Sequence, residues 1–143
     1  MWWRLVVLVV VLLGVFIVVG CSIQKLLPDL RFNSMSLLDA CTFAKDIVYV
    51  DEEFEHFQHP IYTLDNMSGD CEDIAGVIMY LSGRGRFAVI KLKDGQIHAV
   101  VKYAGQYFDQ RGLLFGSHVE EELNIYSYEE YLMMCKGLRK IEL

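Results

Sequence analysis

Ser68-Gly69-Asp70-Cys71-Glu72-Asp73 runs without a break into Ile74-Ala75-Gly76-Val77-Ile78-Met79-Tyr80-Leu81, and the rest of the 143-residue chain reads outward from that junction. Cys71, Ile74, Ile78 and Leu81 recur at three- and four-residue steps after a glycine-bearing turn. That spacing predicts a helix beginning at or just after Cys71, with the thiol on its core-facing stripe. A thiol at a helix start lies among backbone N–H groups without intrahelical partners, and the helix dipole there favours the thiolate. Glu72 and Asp73 suit a first turn, yet with Asp70 they oppose a further negative charge on sulfur. The dipole alone therefore does not activate Cys71, and a base has to come from elsewhere in the chain.

Ser82-Gly83-Arg84-Gly85-Arg86 follows the helix and precedes a strand, the reverse of a phosphate-cradling loop, and reads as a helix-ending segment. Strands are expected over 87–93, 96–103 and 106–110, punctuated by Asp94-Gly95 and Gly105. With two-residue loops at Asp94-Gly95 and Ala104-Gly105, His98 stands opposite Lys91 and Asp109 opposite Val100. Asp109 is then a diagonal neighbour of His98 on one face. Ile90, Leu92, Ile97, Ala99, Val101 and Phe108 make the other face the more apolar one. Cover is expected on both sides, from the Cys71 helix on the His98 face and from the first or last helix on the other.

A cysteine hydrolase needs a thiolate, an imidazole that takes and returns a proton, and a group that holds the imidazole tautomer. Singly, Cys71, His98 and Asp109 read as a buried small residue, a hydrogen-bonded strand histidine and a turn residue; in this order, and on these elements, they supply all three parts. Gly69-Asp70-Cys71-Glu72-Asp73-Ile74-Ala75, His98-Ala99-Val100 and Tyr107-Phe108-Asp109 resemble, in that order, the motifs of the transglutaminase-like superfamily, and specifically the bacterial transglutaminase-like cysteine proteinases. The resemblance covers about residues 60–112, and its Cys-to-His and His-to-Asp intervals of 27 and 11 residues suggest a pared-down member. It implies an α+β fold with a papain-like core, in which the Cys-bearing helix packs on a small antiparallel sheet. It also implies roles: Cys71 as nucleophile, His98 as general base and then acid, Asp109 as orienter, and the Cys71 backbone N–H as one oxyanion donor. Asp65 stands where papain-like enzymes place a glutamine, so Asn66 and Tyr62 are the neighbouring candidates for the second donor.

The activity expected from this set is hydrolysis of a peptide or amide bond through a thioester. An amine could replace water as acceptor, and a catalytically silent peptide-binding protein on the same fold is the alternative. No cofactor is required. The rival chemistry is a zinc site using His56 and His59 with Cys71 or His98, but His56-x-x-His59 lies in a proline-containing connector without a second close ligand pair.

Residues 1–20 contain no acid and a single charge at Arg4, with an apolar run from Leu5 to Val19 that stops at Gly20-Cys21. Val18-Val19-Gly20-Cys21 resembles a bacterial lipobox, which implies cleavage before Cys21, lipid on its sulfur and anchorage on the periplasmic side. An uncleaved single-pass anchor, with Trp2 and Trp3 in the aromatic belt, is the alternative. The expected organisation is a signal peptide or anchor over 1–20, a tether over 21–35 and a catalytic domain over 36–143. Setting Arg4 aside takes the net charge from −6 to −7, and no basic patch with interleaved aromatics supports nucleic-acid binding. The partners expected are a peptide or protein substrate in the cell envelope, and the membrane through the N-terminus.

Ser36 is a plausible cap for a first helix reaching to near Val50. Residues 51–67 read as an irregular connector, with 60–64 extended. Cys41 and Cys135 are expected as buried helical thiols rather than as a bridge. A strand over 123–126 leads to a capping box at Ser127 and Glu130, a helix over 128–136 and a stop at Gly137. The connector 51–67 and the loop 110–122 are expected to carry specificity.

Overall fold

The computed structural model describes residues 31–32, 34–51 and 56–141, so the expected signal or anchor over 1–20 and the expected lipidation site Cys21 lie outside the described residues. The elements run α1 (Leu37–Ala44), β1 (Val48–Tyr49), α2 (Pro60–Asn66), β2 (Ser68–Gly69), α3 (Cys71–Ser82), β3 (Arg86–Leu92), β4 (Ile97–Tyr103), β5 (Gln106–Asp109), β6 (Gly112–Leu114), a 3-10 turn (Gly116–His118), β7 (Val119–Tyr126) and α4 (Tyr128–Cys135). Five strands form an antiparallel sheet in the order β6-β5-β4-β3-β7, while β1 and β2 make a separate parallel pair.

Local chemistry closes α3 at both ends. Asp70 Oδ1 accepts the Glu72 and Asp73 N–H groups at 3.1 and 3.3 Å, and Asp73 Oδ2 accepts the Asp70 N–H at 3.4 Å, completing a reciprocal capping box. Gly83, at φ 63°, supplies the left-handed residue that ends the helix. Gly69 is not itself the turn residue; the left-handed position is Met67, at φ 50°. Glycine is needed at 69 for another reason, because a Cβ there would lie 2.7 Å from Asp73 Cβ. The β1–β2 pair then bridges this stretch through Val48 N–H to Met67 O at 2.9 Å and Val50 N–H to Gly69 O at 3.0 Å.

Several expected boundaries move. The first helix ends at Ala44, not near Val50, because the β-branched and aromatic run Ile47-Val48-Tyr49-Val50 pairs with β2 instead. Residues 60–64, expected to be extended, are helical: Pro60 occupies the first turn, where a missing N–H costs nothing, and His59 caps it by accepting Ile61 N–H on Nδ1 at 3.3 Å. Residues 31–35 are not a free tether. Phe32 N–H donates to Tyr80 O at 2.7 Å, Ser34 N–H donates to Leu81 O at 2.9 Å, and Met35 packs on the core. The loop expected over 110–122 contains β6, the 3-10 turn and the first part of β7.

The β4–β5 ladder pairs Val101 with Phe108 and Lys102 with Tyr107, and its continuation sets Asp109 beside Val100, the register expected from Ala104-Gly105. The β3–β4 ladder differs by one residue: His98 pairs with Ile90, not with Lys91. The loop holds three residues, Lys93-Asp94-Gly95, with Leu92 N–H donating to Gln96 O at 2.8 Å and Gly95 in the left-handed region at φ 87°. Asp94 Oδ1 accepts Gln96 N–H at 2.9 Å and stabilises this longer turn. A slip of one residue exchanges faces. Phe87, Val89, Ala99, Val101 and Phe108 consequently share one core with α1, α3 and α4, while Ala88, Ile90 and Val100 form a second cluster with Tyr107, Leu114, Val119 and Ile125. α3 therefore lies on the face alternate to His98, and α1 and α4 join it there; the expected split of helices between two faces does not occur among the described residues.

Gln58 locks the connector to this core. Its N–H and Nε2 donate to Asp73 Oδ1 and Oδ2 at 2.8 and 3.2 Å, and its carbonyl accepts Tyr131 Oη–H at 3.1 Å and Cys135 Sγ–H at 3.3 Å. Cys41 and Cys135 are free thiols. Tyr131 also explains a glycine inside α3, since a Cβ on Gly76 would fall 2.1 Å from the Tyr131 oxygen. In an open helix Gly→Ala stabilises by roughly 1 kcal/mol. Gly76→Ala is expected to do the opposite, destabilising by roughly 1–3 kcal/mol through overpacking, and urea unfolding of the two chains measures the sign.

Candidate active site

Cys71 is the first residue of α3, so its side chain emerges where the Asp70 cap has already taken the Glu72 and Asp73 N–H groups. It lines a cavity of about 420 Å³ together with Ile74 and Ala75 from α3, His98 and Ala99 from β4, Asp109, Gln110 and Arg111 from the end of β5, Tyr49 from β1, and Leu92, Asp94 and Gln96 from the β3–β4 hairpin. His98 and Ala99 are consecutive and both line it, Ala99 with its backbone N–H toward the Cys71 sulfur. His98 Nε2 lies 3.1 Å from Asp109 Oδ2. With Nε2–H donating to the carboxylate, Nδ1 is the nitrogen that carries the lone pair.

The thiol is not poised as a free thiolate. Burial pushes Cys71 well above the usual thiol range; the charge of Glu72 and its hydrogen bond, and the charge of Asp70, push the same way, and the Ala99 backbone N–H offsets only part. The thiol donates to Glu72 Oε2 at 3.2 Å. Asp70 and Glu72 are themselves almost wholly buried. Burial first, then hydrogen bonding and repulsion from Glu72, raise the Asp70 carboxyl above its ordinary value.

Asp109 behaves in the opposite sense. Its burial disfavours the charge, but the hydrogen bonds from His98 and Arg111 outweigh that and hold the carboxyl well below the usual range. Arg111 contributes its backbone N–H to Oδ1 at 2.7 Å, and Nε and Nη2 to Oδ2 at 3.0 and 2.6 Å.

Tyr62 and Asn66 do not line the cavity of Cys71. They face a separate cavity of about 350 Å³ with His56, Phe57, Gln58, His59 and Cys135. The helical conformation of α2 places them there, and the structure does not bring them together with Cys71, His98 and Asp109. Among the cavity residues that the sequence reading did not single out individually are Arg111 and Tyr49. Arg111 had a legible signal, since Asp109-Gln110-Arg111-Gly112 is an Asx-type turn in which the aspartate accepts the N–H two residues on. Tyr49 had none, because only the long-range β1–β2 pairing brings it to Cys71.

Neither a protein-family model nor a curated protein sequence matches the chain. Among solved structures, Legionella pneumophila LapG superposes with a TM-score of 0.53 at 16% identity, covering 71% of this chain and 74% of that one. A candidate cysteine protease from Cytophaga hutchinsonii gives 0.47 at 16% identity, and the match spans 71% of this chain and 42% of that one. The likeness to LapG is one of fold: the chain shares with it a mixed arrangement of helices and an antiparallel sheet.

Two outcomes follow from the electrostatics. Because the Cys71 thiol is held protonated, Glu72→Gln is expected to raise its alkylation rate by iodoacetamide at neutral pH, by about tenfold for each unit the thiol falls; peptide mass mapping against Cys41 and Cys135 measures it. Asp109 has a depressed folded-state value, so its stabilisation is complete at neutral pH and fades as pH falls through 3.8, the ordinary value, and below. Asp109→Asn should cost on the order of 2 kcal/mol near pH 7 and progressively less in acid, read from urea unfolding at both ends of that window.

Proposed function

We propose that the chain is a membrane-tethered cysteine hydrolase that cleaves a peptide or amide bond with Cys71, His98 and Asp109. The observation that carries the proposal is the 3.1 Å bond between His98 Nε2 and Asp109 Oδ2 inside the cavity that Cys71 lines. In this reading His98 Nδ1 takes the thiol proton as Cys71 Sγ attacks the substrate carbonyl carbon. The tetrahedral oxyanion is met by the Cys71 backbone N–H, which the Asp70 side chain leaves uncommitted at the start of α3. His98 returns the proton to the departing amine, and the acyl group remains on sulfur as a thioester. Water, deprotonated by His98, attacks that carbon; the C–S bond breaks, the acid leaves and the thiol regains its proton. An amine in place of water would give transfer with the same residues.

Burial and Glu72 raise the thiol, so in this reading His98 takes its proton as the sulfur attacks. The same observation favours a second reading, in which the thiol stays bonded to Glu72 and the cavity only holds a peptide. The N-terminal apolar run ending at Cys21 supports tethering at the membrane, and an envelope peptide or protein as the substrate.

Intact-mass analysis of the full chain tests these points together. A peptidyl vinyl sulfone is expected to add once, at Cys71, and to leave His98→Ala unmodified over the same time. Cleavage of an envelope-protein extract should fall by roughly 10³-fold or more in Cys71→Ala and in His98→Ala. Labelling no faster than that of the unfolded chain, with no cleavage, would establish the binding reading instead. The same spectra read the mass of lipid on Cys21, and a mature chain retaining residues 1–20 without lipid would replace the lipoprotein anchor by an uncleaved one.

A further inference from the structure

Asp109 is a nearly buried carboxylate whose two oxygens are occupied chiefly by one neighbour. Arg111 reaches it three times, with the backbone N–H on Oδ1 at 2.7 Å and Nε and Nη2 on Oδ2 at 3.0 and 2.6 Å. His98 shares that same Oδ2, at 3.1 Å. The Asp109 side chain is 6% exposed while that of Arg111 is 67% exposed, so the guanidinium is not there to fill the core. It sits at the cavity wall with one face on the carboxylate and the rest in solvent.

A carboxylate oxygen already held by a guanidinium fork is a weaker acceptor and carries less effective charge toward a third group. An uncompensated buried carboxylate beside His98 would draw a proton onto the ring and hold it as imidazolium, which cannot accept the proton of Cys71. Resting on the catalytic reading of Cys71, His98 and Asp109, we propose that Arg111 is a positioning residue: its fork fixes the Asp109 carboxylate against His98 and takes up part of its charge, so that the carboxylate orients the ring with less pull on a second proton. The other titratable groups facing this site are Cys71, Asp70 and Glu72 at the start of α3, Tyr49 on β1, Asp94 in the hairpin and Cys41 on α1, which feels the Asp109 charge. Among the described residues Arg111 is the arginine that contacts Asp109 directly.

The experiment is an NMR titration of the His98 ring nitrogens in the full-length chain, wild type against Arg111→Gln and Arg111→Lys. With Arg111→Gln the midpoint of ring protonation is expected to rise by about one pH unit, the size of effect a single nearby charge exerts on an imidazole. Arg111→Lys keeps the charge but loses the two-nitrogen fork, so its midpoint should fall between the other two. A merely structural arginine would change stability and leave both midpoints at the wild-type value, and that result overturns the proposal. If Arg111→Gln does not fold, the lysine variant decides alone: a raised midpoint supports the assignment and an unchanged one removes it. The titration reads the ring and the vinyl sulfone test reads the sulfur, so an unchanged midpoint leaves the thioester test standing, and failure of that test leaves the titration interpretable.

Discussion

The Asp73 carboxylate is the constraint on which the arrangement of this protein turns. It is fully buried in the first turn of α3, and it accepts hydrogen bonds from the Asp70 N–H and from both the backbone and the side chain of Gln58. Through Gln58 O the same node reaches Tyr131 and Cys135 on α4. Two segments distant in sequence, the connector at Gln58 and α4, are thus fastened to the turn that presents Cys71. A buried charge is tolerable only when its lone pairs are satisfied, and the three bonds to Asp73 restrict the geometry open to the helix start. Gly69 is part of the same constraint, because only a residue without Cβ lets the carboxylate close on the backbone there.

With the helix start fixed, the sheet determines what meets it. All the described helices that pack on the sheet take the face of Phe87, Val89, Ala99, Val101 and Phe108, and the alternate face keeps its own smaller cluster around Ile90 and Val100. His98 pairs with Ile90 of the alternate set and, close to the hairpin end of β4, lines the same cavity as Cys71.

The charges at the site divide into two groups with opposite effects. Beside the sulfur, burial comes first and Glu72 and Asp70 add to it in making a resting thiolate costly. Asp109 lies on the far side of the imidazole, ionised because His98 and Arg111 donate to it. The first group works against a thiolate, and the second fixes the His98–Asp109 pair on which the proposed proton transfer relies.

Sequence by itself determined the features that rest on neighbours along the chain. The reciprocal caps Asp70/Asp73 and Ser127/Glu130, the stops at Gly83 and Gly137, and the β4–β5 register that sets Asp109 diagonal to His98 depend on side chains and turns within a dozen residues. Tertiary structure decided the rest. Lys93-Asp94-Gly95 is compatible with a two- or a three-residue loop, and the choice lies with whichever register buries Ile90 and Val89 on their respective faces. The pairing of β7 with β3, the arrival of Tyr49 through β1–β2 and the lock at Gln58 join residues tens of positions apart. Such contacts form only when the closure of long loops is repaid by burial elsewhere, a balance that no local window of sequence contains.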